Sequence, residues 1–187
     1  RERLRHTGEV EVALDTVSLD AAIDALKDAD VEAVAVCYLH AYANAAHEQA
    51  TRARLAEKLP DVYVSLSSEV LPHIKEYERV STTAVNAYVG PVLERYLSQL
   101  ETRLRDAGYS GPALITLSHG GVTPIVEAIR MAAGTVLSGP AGGLAGARHA
   151  SDMLDVGQMI TFDMGGTSTD ISLIVDGEAT LSADRSV

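Results

Sequence analysis

The chain has 187 residues, 47% hydrophobic and 22% charged, which is typical of a globular protein with one domain and part of another. Its formal net charge is −11, and no cluster of lysine and arginine provides the basic face that a sequence-independent nucleic-acid binder requires. The longest apolar run, residues 31–39, is too short to cross a membrane. We therefore predict no nucleic-acid or membrane partner, and the single cysteine favours a reducing, cytoplasmic setting.

The chain opens without a methionine and stops inside a strand-like pattern. We therefore expect it to be an internal piece of a longer protein.

The first third of the chain alternates strand and helix patterns. Residues 9–14 alternate polar and apolar side chains, residues 31–39 are almost continuously apolar, and residues 62–67 form a third strand-like run. Two amphipathic helices lie between these strands, with Ser18 and Asn44 as their expected N-cap residues. This order and spacing predict right-handed crossovers and a parallel βαβαβ sheet.

The middle of the chain contains a long helical pattern from about residue 78 to residue 107. Pro91 predicts a kink in it, or two helices in series, because proline removes a backbone donor and clashes with the preceding turn. A short strand at 113–117 follows, then the glycine loop S-H-G-G-V, then a helix opened by Thr123-Pro124.

The last fifty residues begin with the glycine-rich stretch L-S-G-P-A-G-G, in which Ser138 is the expected N-cap of a helix. Strand patterns follow at 158–162 and 169–175, and Asp176-Gly177 is a strong turn signal before the segment E-A-T-L-S. We predict an antiparallel β-meander.

The segment T-F-D-M-G-G-T-S-T-D, residues 161–170, carries the most specific chemistry. One explanation is a tight hairpin in which Gly165-Gly166 supply positive φ. The other is a turn that presents backbone N–H groups and hydroxyls to a phosphate, with Asp163 holding Mg²⁺ directly or through water. We favour the second, because Asp163 brings a charge to the end of an apolar strand and three consecutive hydroxyls exceed the needs of a turn.

This hairpin resembles the phosphate hairpin of the actin, sugar kinase and Hsp70 superfamily, and more narrowly that of the hydantoinase A and 5-oxoprolinase family. From about residue 31 onward, further segments resemble that family in the same order: V-E-A-V-A-V-C-Y-L-H, S-L-S-S-E-V-L-P-H-I-K-E-Y-E-R, S-H-G-G-V and L-S-G-P-A-G-G. The resemblance implies an α/β fold of the ribonuclease-H-like, actin-like ATPase type. Residues 1–110 would be the C-terminal part of a first such domain with its long helical segment, and residues 111–187 the truncated start of a second.

The resemblance also implies an activity, in which an ATP-dependent enzyme opens a cyclic amide of the hydantoin or 5-oxoproline type by phosphoryl activation of the amide. Its cofactors would be ATP and Mg²⁺, and its partner a second subunit or domain of the hydantoinase B type. The alternatives are the ATP-using subunit of a ketone carboxylase and a non-catalytic interaction module. Family members use two phosphate hairpins and this sequence has one, so we expect half an active site, weak ATP binding and no activity in this piece alone.

The resemblance assigns site residues at several places. Asp163 and Asp170 are the expected catalytic acids, and Asp163 is also the expected magnesium ligand. The expected nucleotide-binding residues are Gly165, Gly166, Thr167, Ser168 and Thr169 of the hairpin, with Gly139, Gly142 and Gly143 upstream. The expected residues on the substrate side are Ser118, His119, Gly120 and Gly121.

For the three upstream glycines the alternative is close packing of small residues against a strand. His119 stands where the family usually has asparagine, and the alternative for it is a loop residue without a catalytic role.

Two other clusters received a structural interpretation. Cys37, His40 and His47 lack a fourth ligand at a natural spacing, so we interpret them as structural and not as a zinc site. The stretch K-E-Y-E-R is predicted to be a solvated helix entrance, although the family resemblance also makes Glu76 and Arg79 candidates for a substrate cleft.

Overall fold

The computed structural model describes residues 1–166 and 168–179, which are α/β and divide into two compact units. Unit 1 comprises Arg1–Gly111 and Ile125–Ala133, and unit 2 comprises Pro112–Pro124 and the described part of Gly134–Val187. Among the described residues, none of the helices has the length and apolar character needed to cross a membrane.

Unit 1 contains four short strands and five helices within the described residues. In chain order they are β1 (Arg3–Leu4), β2 (Val10–Val12), α1 (Thr16–Asp28), β3 (Ala33–Val36), α2 (Ala46–Lys58), β4 (Tyr63–Leu66), α3 (Ser67–Val70), α4 (Glu76–Asp106) and α5 (Ile125–Arg130).

The sheet of unit 1 is smaller than the sequence suggested. Strands β3 and β4 pair in parallel, from Ala33 opposite Tyr63 to Val36 opposite Leu66, with α2 as the crossover between them. The predicted three-stranded parallel arrangement is wrong, because β2 pairs antiparallel with β1 in a separate ribbon. The polar–apolar alternation of residues 9–14 fits a half-buried strand in either pairing, so it does not identify the partner strand.

The helices α1 and α2 pack on the parallel pair and bury a continuous apolar cluster, which consists of Leu19, Ile23, Val36, Leu55 and Leu66. The N-cap of α1 is Asp15 and not Ser18, since the Asp15 carboxylate accepts a hydrogen bond from the backbone N–H of Val17 at 3.0 Å. At α2, Asn44 Oδ1 accepts from the N–H of Ala46 at 3.0 Å, one residue before the geometric cap Ala45.

The helix α4 runs unbroken through Pro91, so the prediction of two helices in series is wrong. Gly90 is required by packing, because a Cβ placed there would lie 2.2–2.7 Å from atoms of the Tyr63 ring. One turn earlier, the buried Asn86 donates to Ser65 Oγ at 2.9 Å and accepts from the N–H of Ala133 at 2.9 Å. These contacts fix α4 to β4 and to the segment after α5.

Unit 2 contains five strands and one α-helix within the described residues. They are β5 (Leu114–Thr116), β6 (Val122–Pro124), α6 (Ser138–Leu154), β7 (Gln158–Met164), β8 (Thr169–Val175) and β9 (Glu178–Ala179). A 3₁₀ turn, Ala132–Thr135, precedes α6. The predicted third strand of the meander is described only at Glu178–Ala179, and its remaining residues lie outside the described part of the chain.

The two sheets of unit 2 are antiparallel. Strands β7, β8 and β9 form the predicted meander, with Asp176 and Gly177 in its second turn. Strands β5 and β6 form a separate hairpin, so the prediction that Thr123-Pro124 opens a helix is wrong. Both residues belong to β6 and the helix begins at Ile125, because a proline at the end of an edge strand needs no ladder hydrogen bond.

We predict that Gly90→Ala destabilises unit 1. The added methyl overlaps the Tyr63 ring, whose hydroxyl donates to the Ile129 carbonyl at 2.5 Å, so the ring has little freedom to move aside. Overpacking of this kind costs about 1–3 kcal/mol of unfolding free energy, measurable by urea denaturation.

The matched control is Gly146→Ala in α6, where an added Cβ meets nothing within 4 Å and alanine is the better helix former by about 0.5–1 kcal/mol. Equal effects of the two substitutions would contradict the packing argument.

We also predict a stabilising contribution from Glu69 that depends on pH. Two hydrogen bonds of 2.7 Å from Arg52 lower the pKa of the Glu69 carboxyl, against the opposing effect of burial. The contribution is complete above the ordinary glutamate pKa of about 4.3 and is lost as the pH falls through the lower pKa of the folded protein.

Replacing Glu69 with glutamine should therefore cost about 0.5–1 kcal/mol near neutral pH and less in acid. The control is Glu57→Gln, whose side chain is 64% exposed beside Arg54. An effect of Glu69→Gln that stays constant with pH would contradict this account.

Candidate active site

The hairpin of β7 and β8 places the two aspartates of the 161–170 segment side by side. The ladder pairs Asp163 directly with Asp170 and Thr161 directly with Ser172. Because side chains alternate between the two faces of a strand, these four polar residues share one face. The sequence predicted both acids, but it missed Thr161 and Ser172. Each of them lies two residues from one of the acids along its strand, and that spacing, which places side chains on the same face, was the signal available in the sequence.

The polar face of this hairpin borders a cavity formed with the first two turns of α6. A Cβ added at Gly143 would lie 3.8 Å from Asp163 Oδ2. The cavity has a volume of about 280 Å³, and its lining consists of Pro140, Gly143, Leu144, Thr161, Phe162, Asp163, Asp170 and Ser172. The glycine-rich stretch and the aspartates therefore belong to one site within unit 2.

The turn between β7 and β8 does not need its glycines for backbone conformation. The N–H of Gly165 donates to the Ser168 carbonyl at 3.0 Å, and neither Gly165 nor Gly166 has positive φ. The alternative explanation, in which these glycines supply positive φ, is therefore wrong. A Cβ at Gly166 would meet nothing within 4 Å, so the absent side chain leaves open space beside the turn. Thr167 lies outside the described residues.

The hydroxyl residues that follow this turn are accessible. Ser168 is exposed, and Thr169 is the exposed first residue of β8, paired with Met164. The Ser168 hydroxyl lies 3.5 Å from Asp170 Oδ2.

Among the described residues, no cationic side chain forms an ion pair with either carboxylate. Within residues 1–166 and 168–179, no lysine or arginine nitrogen lies within 4.0 Å of Asp163 or Asp170. Like charges placed directly opposite each other repel, and a bound cation relieves that repulsion.

The donor set in this cavity consists of carboxylate and hydroxyl oxygens, the ligands that Mg²⁺ prefers. No group of three or more His, Cys, Asp or Glu side chains that could hold a metal occurs in the described residues. The site therefore fits a magnesium ion held by one or two carboxylates, with water and phosphate oxygens as its other ligands.

The start of α6 has no side-chain cap at its N-cap residue. Its N-cap is Leu137 with φ of 61°, which makes no side-chain capping bond, so the prediction that Ser138 is the cap is wrong. No acid lies in the first turn. A helix N-terminus in this state carries a partial positive charge that favours an anion.

The upstream glycines behave differently from one another. A Cβ at Gly142 would lie 3.4 Å from Thr116 Cγ2, an ordinary van der Waals contact, so Gly142 lies beside β5 but packing does not require a glycine there. At Gly139 nothing lies within 4 Å, so packing does not explain that glycine.

The S-H-G-G residues form the turn of the β5–β6 hairpin and lie beside the same end of α6. Gly120 has φ of +83°, and a Cβ there would lie 3.8 Å from the Ala141 carbonyl oxygen. The N–H of Ser118 donates to the Gly134 carbonyl at 2.7 Å. The exposed His119 folds back on its own turn, where its Nδ1 accepts from the N–H of Gly121 at 3.2 Å.

The remaining candidates lie in unit 1. Arg79 is 1% exposed, so the prediction of a solvated K-E-Y-E-R stretch is wrong at that residue, while Glu76 is exposed. His40 Nδ1 is 3.3 Å from the Tyr42 hydroxyl, and His47 Nδ1 is 2.8 Å from Glu2 Oε2. Burial raises the pKa of the Cys37 thiol, against opposing hydrogen bonds with Thr83 and Ser67.

Comparison with known protein families gives two matches. The family model described as hydantoinase/oxoprolinase matches residues 79–187, and the model of the hydantoinase/oxoprolinase N-terminal region matches residues 1–59.

Several characterised proteins are similar to this chain. The α subunit of caprolactamase from Pseudomonas jessenii is 37% identical over 171 residues, which cover 91% of this chain and 25% of that protein. The acetone carboxylase β subunit of Xanthobacter autotrophicus is 31% identical, with 88% and 24% covered. The 5-oxoprolinase of Saccharomyces cerevisiae is 34% identical, with 87% and 12% covered. The chain thus spans a quarter or less of these relatives.

Two solved structures are also similar to this chain. Nucleotide-free acetone carboxylase superposes with a TM-score of 0.85 at 29% identity over 96% of this chain and 26% of that one. The ATP-dependent caprolactamase of Pseudomonas jessenii superposes with a TM-score of 0.75 at 34% identity over 92% of this chain and 25% of that one.

We predict that Gly166→Ala leaves stability almost unchanged, within about 0.5 kcal/mol, because its backbone is ordinary and the added methyl enters open space. The matched substitution is Gly177→Ala in the next turn, where φ is +75°. It should cost about 1 kcal/mol, because alanine is strained at positive φ. Both effects are measured as changes in unfolding free energy. A cost at Gly166 as large as that at Gly177 would show that the hairpin requires glycine for conformation.

Proposed function

The chain belongs to the hydantoinase/oxoprolinase family, and from this premise we propose that it forms the phosphate-binding part of an ATP-dependent enzyme that opens cyclic amides. The observation that carries the proposal is the cavity of unit 2. There, two carboxylates without an ion-pair partner among the described residues line a cavity with the first turns of α6, beside a turn whose glycines neither positive φ nor close packing explains. Oxygen ligands for a cation and N–H donors for an anion therefore stand next to each other, which is what Mg·ATP requires.

Each part of the cavity then has a role. The N–H groups of Gly165 and Gly166 and the hydroxyls of Ser168 and Thr169 would contact phosphate oxygens, and Thr167 joins them as a sequence-based candidate. The first turn of α6, with Gly139, would supply further N–H donors. Asp163, supported by Asp170, would hold the magnesium ion, directly or through water. When bound, that ion neutralises phosphate charge and orients the γ-phosphate.

The chemistry follows from the stability of the amide. Resonance protects a cyclic amide from attack by water, so the amide oxygen first attacks the γ-phosphorus and ADP leaves. Water then adds to the activated carbon and the ring C–N bond breaks, with the nitrogen leaving as the amine and an acyl phosphate remaining. A second water attacks the carbonyl carbon of that acyl phosphate, and phosphate departs with the former amide oxygen. The protein's contribution is to position the reactants and to stabilise charge. Ser118 and His119, beside the start of α6, are our candidates for the substrate side.

The proposal also covers the domain organisation of the whole protein and its partner subunit. We infer that unit 1 belongs to a first ribonuclease-H-like domain and that unit 2 begins a second, whose own hairpin faces a second hairpin elsewhere in the whole protein. Caprolactamase and acetone carboxylase relatives are named as subunits, which supports a partner subunit here, of the hydantoinase B type.

A carboxylase subunit is the second candidate function. The similarity to acetone carboxylase, at a TM-score of 0.85, favours it, whereas the 37% identity to the caprolactamase α subunit favours ring opening. Both would use the same hairpin to activate a carbonyl oxygen. In ring opening, water attacks the activated carbonyl carbon, whereas in carboxylation the α-carbon of the activated ketone attacks the carboxyl donor.

We predict that Asp163→Asn weakens Mg·ATP binding to the whole protein by about tenfold or more, the loss expected for one charge-assisted contact. Asp155→Asn, at the far end of α6, is the matched control and should leave affinity unchanged. Titration calorimetry measures both, and circular dichroism checks that each variant folds. The 187-residue chain alone should bind Mg·ATP weakly. An unchanged affinity for Asp163→Asn would favour the non-catalytic interaction module.

A product assay separates the two enzymatic candidates. With ATP and a cyclic amide, the whole protein should form the ring-opened acid at a rate that bicarbonate does not change. With ATP and a ketone, we expect no carboxylated product. Dependence on bicarbonate, with a carboxylated product, would instead identify a carboxylase subunit.

A further inference from the structure

The helix α4 carries apolar side chains on the face that points away from the core of unit 1. Its inner face packs on β3 and β4 and buries residues such as Asn86 and Leu97. Its outer face exposes three tyrosines and two valines, which are Tyr77, Val85, Tyr88, Val92 and Tyr96. Nothing in the proposed ATP chemistry of unit 2 uses this face.

The outer face of α4 has the spacing of a two-helix seam. Alternate steps of three and four residues connect six positions, which are Glu78, Ser81, Val85, Tyr88, Val92 and Arg95. This is the a/d spacing by which two helices pack along their length. At 1.5 Å per residue the row is about 26 Å long. We term these six residues the α4 stripe, and Tyr77 and Tyr96 flank it.

The exposed area around the α4 stripe is large enough for an interface. Tyr77, Tyr88 and Tyr96 are 82%, 85% and 60% exposed. At about 200 Å² for each side chain, the three tyrosines present about 450 Å². That is more than half of the area of about 800 Å² that each partner buries in a standard interface. Tyrosine is also enriched at interfaces, because its ring is apolar and its hydroxyl tolerates water in the free protein.

The charges of the α4 stripe match their own reversed order. Glu78 lies at one end of the stripe and Arg95 at the other. When two copies of α4 pack antiparallel about the midpoint between Val85 and Tyr88, Glu78 of each copy lies in the same layer as Arg95 of the other. The remaining layers pair Ser81 with Val92 and Val85 with Tyr88. A parallel pair would instead set glutamate against glutamate and arginine against arginine.

Within the chain, these two charges have only long, exposed contacts. Glu78 lies 3.9 Å from Lys75, and Arg95 lies 3.6 Å from Glu32. All four side chains are more than half exposed, and ion pairs of this kind contribute little to stability. Ser81 brings no unpaired hydroxyl to the stripe, because it donates to the Tyr77 carbonyl at 2.6 Å. Glu78 and Arg95 can therefore exchange their present partners for each other at low cost.

We propose that the α4 stripe is the interface of a symmetric dimer, in which α4 packs antiparallel against α4 of a second copy of this chain. A two-fold interface requires that residue i contacts residue j and that j contacts i, and the reversed order of the stripe meets this requirement. Docking of a different subunit, or of another segment of the whole protein, would not require the stripe to complement itself. The two ion pairs fix the antiparallel orientation and the register, while the tyrosines and valines supply the apolar contact.

Charge reversal in the whole protein tests the proposal. Sedimentation velocity over a concentration series gives the dimer dissociation constant, and we expect the unmodified protein to be a dimer. Glu78→Arg sets arginine against arginine in two symmetry-related layers, so the dissociation constant should rise about tenfold or more. Arg95→Glu should have the same effect. The double variant that carries both substitutions restores the opposite charges, and its dissociation constant should return to within about threefold of the original.

The matched control is Glu94→Arg, which makes the same change of charge at an exposed position of α4 outside the stripe and should leave the dissociation constant unchanged. Circular dichroism checks that each variant folds, which is expected because every substituted side chain is exposed. A monomeric whole protein would overturn the proposal, and so would a dimer that Glu78→Arg does not weaken. A loss of dimer that the double variant fails to restore would also overturn it, because the two charges would then not face each other.

Discussion

The antiparallel pairing of β7 with β8 is the constraint on which the candidate site depends. It sets Asp163 opposite Asp170, and strand alternation sends both carboxylates to the face that carries α6. The opposite face holds Ile160, Phe162 and Ile171, which are 71%, 60% and 65% exposed. A register slip of one residue would exchange these apolar side chains with the acids, so the ladder determines where the charges lie.

The second requirement is a close approach of α6 to that face. The helix backbone at Gly143 lies next to the Asp163 carboxylate, since a Cβ added there would lie 3.8 Å from Asp163 Oδ2. The same first turns of α6 lie beside the β5–β6 turn at Gly120. Three glycine-containing segments that are far apart in the sequence thus meet at one helix end, whose N-cap residue makes no side-chain capping bond. This convergence supports a shared ligand more strongly than any single motif does.

The sequence predicted the features that depend on local pattern. The strands around residues 158–175, the turn at Asp176-Gly177 and the helices of unit 1 follow from alternation and from apolar spacing, and the structure contains them. Partner choice was not predictable in the same way. Residues 9–14 alternate as a strand should, yet their partner is β1, and Thr123-Pro124 joins β5 instead of opening a helix. Hydrophobic alternation describes a strand's two faces and carries no information about the strand beside it.

The residues of the candidate sites divide in the same way, into those that local sequence pattern predicts and those that only the folded chain brings together. Asp163, Asp170 and the glycines were readable because their residue types are unusual directly after an apolar strand. Thr161 and Ser172 were missed although each lies two residues from one of the acids, and Leu144 was not readable because it enters the cavity through helix packing. Arg79 was misassigned for a related reason. In a charged stretch such as K-E-Y-E-R an arginine is usually solvated, and only the packing of α4 against β3 and β4 buries this one.

The central claim is that ATP activates the amide by phosphorylating its oxygen. The most direct test uses a cyclic amide labelled with ¹⁸O at the ring carbonyl, incubated with ATP and the whole protein, with the released phosphate analysed by mass spectrometry. The account predicts one labelled oxygen in each phosphate released, at a yield that matches ring opening. Unlabelled phosphate, with the label retained in the ring-opened acid, would contradict it.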